Sequence, residues 1–152
     1  LSSLDGGIDV NGSTFTVDAS GNATAVSLSV SGTTTLSGDL KYGVTAAITA
    51  AGSAQGDATS LTETINIVTT ASAAQGVKLK SAATGLRCEI YNSTTNDIKV
   101  YPNTSDKIDS GSSNAAKDLP AKTSMVLVCK DAENWEVLRP IALYDSSGTL
   151  LN

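Results

Sequence analysis

The chain has 152 residues, a formal net charge of -5 and no histidine, which bounds it to one ordinary domain or one domain with an appendage. The lack of histidine removes Ser-His-Asp and Cys-His nucleophile systems and histidine zinc ligands together. Aromatic residues make up 4% of the chain, and Ser, Thr, Ala and Gly are frequent, a composition that suits thin β-structure better than a thick core.

The charge is unevenly placed. Asp5, Asp9, Asp18, Asp39, Asp57 and Glu63 face only Lys41 across residues 1–64, whereas acids and bases balance over 65–152. No basic run is present to neutralise phosphates, so neither nucleic acid nor an anionic membrane surface is an expected partner. No apolar run approaches the roughly 18 residues needed to span a bilayer as a helix. The chain opens at Leu1 with neither Met nor a charged segment leading into an apolar one, so it is expected to be processed or to be a piece of a longer chain.

Residues 5–40 read as short extended pieces broken by glycines. Their large apolar residues are Ile8, Val10, Phe15, Val17, Val26, Leu28, Val30, Leu36 and Leu40, too few to offset the ordering cost of the segment unaided. Within it, Phe15 and Val17 alternate with polar residues, Asp18 to Asn22 forms a hairpin-type loop with Gly21 or Asn22 at positive φ, and Val26, Leu28 and Val30 resume the alternation. Either the segment is disordered or it packs on other chains, and the regularity of Val26, Leu28 and Val30 favours packing. Wrapping with identical copies around a three-fold axis could bury these side chains, with Val26, Leu28, Val30, Leu36 and Leu40 as the candidate trimer interface.

Residues 44–60 are Ala-rich and ambiguous between strand and short helix, with Gly52 and Gly56 opposing a long helix. Ile65 and Ile67, then Val77 and Leu79, alternate with polar neighbours. The stretch from Leu86 to Tyr101 reads as an antiparallel hairpin. Leu86, Cys88, Ile90, Ile98 and Val100 share one apolar face, Arg87, Glu89 and Lys99 face solvent, and Asn92 to Asp97 forms the turn. A two-stranded ribbon is marginal alone, so this face needs a second layer. Residues 102–123 are polar and hold Pro102, Gly111 and Pro120, which predicts a long connection with one short strand at Lys107–Asp109. Met125 to Cys129 is an unbroken apolar run that fits a central strand covered on both faces. After a turn at Asp131 to Asn134, Trp135 and Val137 alternate with Glu136. Residues 141–152 suggest a last hairpin, with Tyr144 to Thr149 as its loop.

The expected fold is therefore all-β: an N-terminal trimerising β-segment of intertwined, prism-like strands over 1–43, a small antiparallel β-sandwich of jelly-roll type over 44–140, and a C-terminal hairpin over 141–152.

Little chemistry remains open. No phosphate-cradling glycine motif stands between a strand and a helix. Asp106 and Asp109 are the nearest local carboxylate pair for glycoside hydrolysis, and with Asn103 they could ligate Ca²⁺, but a solvated loop accounts for them and the spacing is not that of an EF-hand. No cofactor and no metal is expected. Cys88 and Cys129 lack metal-site spacing and read as two buried thiols, although a bridge is geometrically open if their strands are neighbours. Tyr91, Tyr101 and Tyr144 are expected to face solvent and could stack on sugars, but sheet packing is the commoner use of a strand tyrosine.

The segment FTVDASGNATAVSLSVSGTTTLSGDL resembles the repetitive β-segments of bacteriophage fibre and virion-appendage proteins, in which a V-D-x-x-G-N turn precedes S-L-x-V-x-G-x-x-x-L-x-G. The part from Ile48 to Val137, carried by ITAAGSAQGDATSLTETINIVTT, GLRCEIYNSTTNDIKVYPNTSDKI and ENWEV, resembles a small β domain of structural proteins of tailed phages, including those of marine cyanobacteria. The resemblance implies a homotrimeric virion structural protein and leaves its place, on the capsid or the tail, open. Short length and a single compact domain favour a non-enzymatic knob or short fibre decorating the capsid surface, assembled in the host cytoplasm, with other virion proteins, the capsid protein first among them, as partners. The alternative is a tail-fibre or adhesin module that binds host-surface glycans.

Overall fold

The computed structural model describes residues 15–17, 19–25 and 29–138, and among them every regular element is a strand. The chain divides into two units between Leu40 and Lys41. In the first, β1 (Phe15–Val17) pairs antiparallel with β2 (Ala23–Ala25), placing Phe15 beside Ala25. Gly21 in the connection takes a φ of 82°, so the loop uses the glycine where a side chain would be strained. Val26 and Leu28 lie outside the described residues. The expected C-terminal hairpin over 141–152 also lies outside them.

The second unit holds strands β3 (Val44–Thr49), β4 (Thr59–Ser60), β5 (Ile65–Thr70), β6 (Gly76–Lys78), β7 (Arg87–Asn92), β8 (Ile98–Tyr101), β9 (Lys107–Ile108), β10 (Lys117–Leu119), β11 (Ser124–Cys129) and β12 (Asn134–Val137). They form a six-stranded sheet in the order β3-β5-β7-β11-β12-β9 and a four-stranded sheet in the order β10-β8-β6-β4. From β3 to β11 the chain changes sheet at every connection, so β3/β4, β5/β6 and β7/β8 are three successive β-arches. Their strands stack in parallel, β3 on β5 on β7 in one layer and β4 on β6 on β8 in the other. Ile65 lies beside Val44 and Glu89 beside Ile65, a repeat of about 20 residues per arch, as in a β-solenoid. The chain then returns: β10 runs antiparallel on β8 and β11 antiparallel on β7, closing that end of the stack.

This arrangement corrects the expected antiparallel, jelly-roll-like sandwich. It also corrects the expected hairpin at Leu86–Tyr101. Strands β7 and β8 belong to different sheets, and residues 93–97 form the corner of an arch. The apolar set was rightly placed inside, since Cys88, Ile90, Ile98 and Val100 are buried and Leu86 is half-buried. They come from facing layers of the core, however, where one side of a ribbon had been expected. Period-two alternation looks the same in both geometries, because it records which face is buried and leaves the partner strand open.

The core lies between the two sheets, with Val77, Leu79, Val100, Leu119, Leu127 and Trp135 among its fully buried side chains. Each such burial contributes about 1.5 to 3 kcal/mol of transfer free energy before entropy is charged against it. In the six-stranded layer, Ile48, Val68 and Asn92 stand side by side across the three arches. Gly76 is required by packing: a Cβ there would stand 2.7 Å from Cε2 of Tyr101 and 2.8 Å from the carbonyl oxygen of Lys99. The Tyr101 ring therefore closes over Gly76, and its hydroxyl donates to the Ser53 carbonyl at 2.7 Å. The edge strand β3 carries register irregularities between Thr45 and Thr49, the kind of bulge that discourages pairing with a stray strand.

Within residues 102–123 the expected short strand at Lys107–Asp109 is β9, and β10 at Lys117–Leu119 is a second strand that was not expected, so the segment adds one strand to each sheet. Met125–Cys129 is interior to its sheet, between β7 and β12, but it is covered on one face only. Met125, Leu127 and Cys129 are buried while Val126 and Val128 on the opposite face are half-exposed.

Candidate interaction surface

The alternation along β5, β7 and β11 sends two different sets of side chains to the two faces of the six-stranded sheet. Asn66, Val68, Cys88, Ile90, Met125 and Leu127 point into the core. Ile65, Ile67, Arg87, Glu89, Tyr91, Val126 and Val128 point outward. Register aligns Ile65, Glu89 and Val126 in one row and Ile67, Tyr91 and Ser124 in the next. Val44 at 51% and Tyr91 at 43% relative exposure are the large side chains most open to solvent on this face, beside the half-exposed Ile65, Ile67, Val126 and Val128. Between the rows is a shallow pocket of about 90 Å³, lined by Ile65, Glu89, Tyr91, Ser124 and Val126 among others.

The charges on this face are compensated locally. Arg87 Nε meets Glu89 Oε1 at 2.8 Å and Lys130 Nζ meets Glu136 Oε1 at 2.9 Å. The Glu136 carboxylate holds the Lys130 ammonium above its ordinary pKa.

A second concavity, an open groove of about 800 Å³, runs along Lys107, Asp109, Lys117, Lys130 and Glu136 with the 110–116 loop. Its lysines are already paired, Lys107 with Glu133, Lys117 with Asp109 and Lys130 with Glu136. Among the described residues no aromatic side chain lines it, so these residues offer a sugar ring no stacking platform.

The candidate residues singled out from sequence fall in several places. Asp106 and Asp109 do not form a solvated loop, which corrects that expectation. Asp106 is 6% exposed and its Oδ2 accepts from the Ala82 amide at 2.8 Å. Asp109 Oδ1 accepts from the Val137 amide at 2.9 Å, and its Oδ2 takes Lys117 Nζ. Both carboxylates fasten the 102–123 segment to neighbouring elements, which is why it is folded and not a plain loop. Asn103 bonds Ser81 Oγ through Nδ2 and accepts the Thr104 amide through Oδ1. Among the described residues, no group of three or more Cys, Asp or Glu side chains is gathered as a metal site.

Of the tyrosines, Tyr91 stands on the outer sheet face and Tyr101 is buried, correcting its expected solvent exposure. Tyr144 lies outside the described residues. Cys88 and Cys129 are free and buried on adjacent strands. Burial pushes the Cys88 thiol up to about 11 and the Cys129 thiol upward as well. Of the candidate trimer-interface residues, Val30, Leu36 and Leu40 are exposed at 50%, 59% and 59%, while Val26 and Leu28 are outside the described set.

Two asparagines, Asn66 and Asn92, are fully buried, which the sequence does not announce: it shows Asn92 only as the start of a turn. Asn92 is saturated with hydrogen bonds at the arch corner. Asn66 donates from Nδ2 to the carbonyls of Glu63 and Glu89 at 3.0 and 3.3 Å, while its Oδ1, like Trp135 Nε1, is buried without a hydrogen-bond partner. The available signal was position, since Asn66 sits between two apolar residues and Asn92 directly before a Ser-Thr-Thr turn.

The fold and these surfaces define a two-layer, β-solenoid-like stack of arches that presents a half-covered apolar sheet face. No family model, curated protein or solved structure matches the chain.

Proposed function

We propose that the chain is a non-enzymatic structural protein of a bacteriophage virion, a homotrimeric knob or short fibre that decorates the capsid surface. Its N-terminal residues, 1–43, serve as the trimerising and attaching segment of intertwined strands, and the stack of arches is the part presented outward. The observation that carries this reading is the exposure of the N-terminal unit. Every described residue from Ala19 to Leu40 whose side chain is placed is exposed, Val30, Leu36 and Leu40 included. A segment whose described side chains are all exposed gains its order from contacts with other chains. Intertwining identical copies about a three-fold axis supplies those contacts and closes the assembly. The likeness of its V-D-x-x-G-N and S-L-x-V-x-G pattern to phage fibre segments supports the virion setting, and a groove whose lysines are paired and whose described lining holds no aromatic side chain supports presentation over glycan capture.

The test is the mass of the full chain in solution, beside a variant carrying Val30→Asp, Leu36→Asp and Leu40→Asp. The expected result is a trimer for the former and a folded monomer for the latter. A monomeric parent chain would overturn the reading, and antibody labelling of intact particles on the tail would overturn the capsid location.

A further inference from the structure

We infer that the outer face of the six-stranded sheet is a second contact between copies of this chain, with the pocket between Ile65, Tyr91 and Val126 taking an apolar side chain of the adjoining copy. The inference rests on the oligomeric reading above and names the surface of the arch unit that takes part in it.

Three observations converge on a second copy as the occupant. The run Met125–Cys129 is apolar on both sides, the pattern of a strand covered on both faces, yet within one copy only Met125, Leu127 and Cys129 are covered. Val126 and Val128 are thus apolar on a face where a solvated sheet would carry polar residues. The charges provide the second observation. Arg87 pairs with Glu89 and Lys130 with Glu136 inside the face itself, so these four charges offer a partner of strong charge nothing to complement, and an identical copy meets them with the same paired charges.

Size provides the third. Strands about 4.8 Å apart, rising about 3.3 Å per residue, give this face a plan area on the order of 400 Å². That is about half of the roughly 800 Å² per partner used by a stable free-standing interface. A face of this size does not hold two free proteins together by itself. It is sufficient when the copies are already joined elsewhere, because the tether raises the effective concentration of one face for the next to the millimolar range. The N-terminal segment is that tether.

The experiment uses the full chain with half of the copies carrying ¹³C-labelled Ile and Val methyls in a deuterated background and half unlabelled, unfolded and refolded together. Isotope-filtered cross-relaxation is expected at the methyls of Ile65, Ile67, Val126 and Val128 from protons of the unlabelled copies. Ile67→Glu and the milder Ile67→Ser should weaken assembly at least tenfold with the circular dichroism of the fold unchanged. An assembled chain that shows no inter-copy signal at these methyls overturns this inference and leaves the N-terminal interface standing. A monomeric chain overturns both. Signals arising within one copy, from Ile141 or Leu143, also overturn it by showing residues 139–152 as the occupant.

Discussion

Nδ2 of Asn92 donates to the main-chain oxygen of Asn96 at 2.8 Å, tying the last residue of β7 across the corner that leads to β8. The same nitrogen lies 3.1 Å from the carbonyls of both Leu119 and Pro120, and Oδ1 accepts the amide and hydroxyl of Thr94. One side chain thereby secures two corners, the β7–β8 arch and the β10–β11 return. Replacing it leaves buried carbonyls and donors unpaired, each at about 1 to 3 kcal/mol. Asn92→Leu is therefore expected to lose about 3 to 5 kcal/mol in urea unfolding, more than a side chain of similar size would cost by packing alone. A loss under about 1 kcal/mol would show that the corners hold without it.

The two faces of β11 should respond differently to the same substitution. Leu127 is fully buried between the sheets, so Leu127→Asp places an unpaired charge in the core and is expected to cost more than about 4 kcal/mol. Val126→Asp lies on the half-exposed face and should cost about 1 kcal/mol, keeping the native circular dichroism while weakening assembly. Equal and severe unfolding by both would mean that the outer face is covered within a single copy.

Cys88 predicts an alkaline limit. Its folded-state thiol titrates at about 11 against an ordinary 9.0, because burial disfavours the thiolate. The raised value means that the neutral thiol favours the fold. That contribution is fully present below about pH 9 and is lost as the pH climbs toward about 11, where the unfolded chain deprotonates first. The loss should be on the order of 2 kcal/mol. Thermal melting across this window should fall more steeply for the parent chain than for Cys88→Ala, and parallel profiles would refute the assignment. At neutral pH the thiol should resist alkylation until the chain unfolds.

Much of the strand placement was legible. Alternation placed Val77 with Leu79, Cys88 with Ile90, Ile98 with Val100, and Trp135 in the interior, and of the two loop residues suited to positive φ, Gly21 and Asn22, Gly21 takes it. The ambiguous Ala-rich stretch resolved into β3 and β4, where Ala50 and Ala58 are small enough to lie buried at the first arch. The candidate surface was less legible. An apolar run such as Met125–Cys129 states that both sides of a strand are apolar, but not whether one copy supplies both covers. The burial of Asn66 and Asn92 is not legible, because an asparagine in a polar, turn-rich chain looks like loop or turn until its hydrogen-bond partners are known. Those partners lie up to 28 residues away.

By itself, the sequence determined that this is a β-rich chain with no histidine chemistry, which positions are buried in most of its strands, and that its N-terminal 40 residues are too poor in apolar side chains to form a core alone. The tertiary structure decided which strands pair. It converted the apparent hairpin at Leu86–Tyr101 into one arch of a parallel stack, sent Ile65 and Ile67 outward while taking Asn66 inward, and turned Asp106 and Asp109 from loop residues into fasteners. The reason is one of range. Side-chain periodicity is a local property set by two residues of backbone geometry, whereas the partner of a strand depends on contacts about 20 residues away, whose entropy of closure changes little from one pairing to the next.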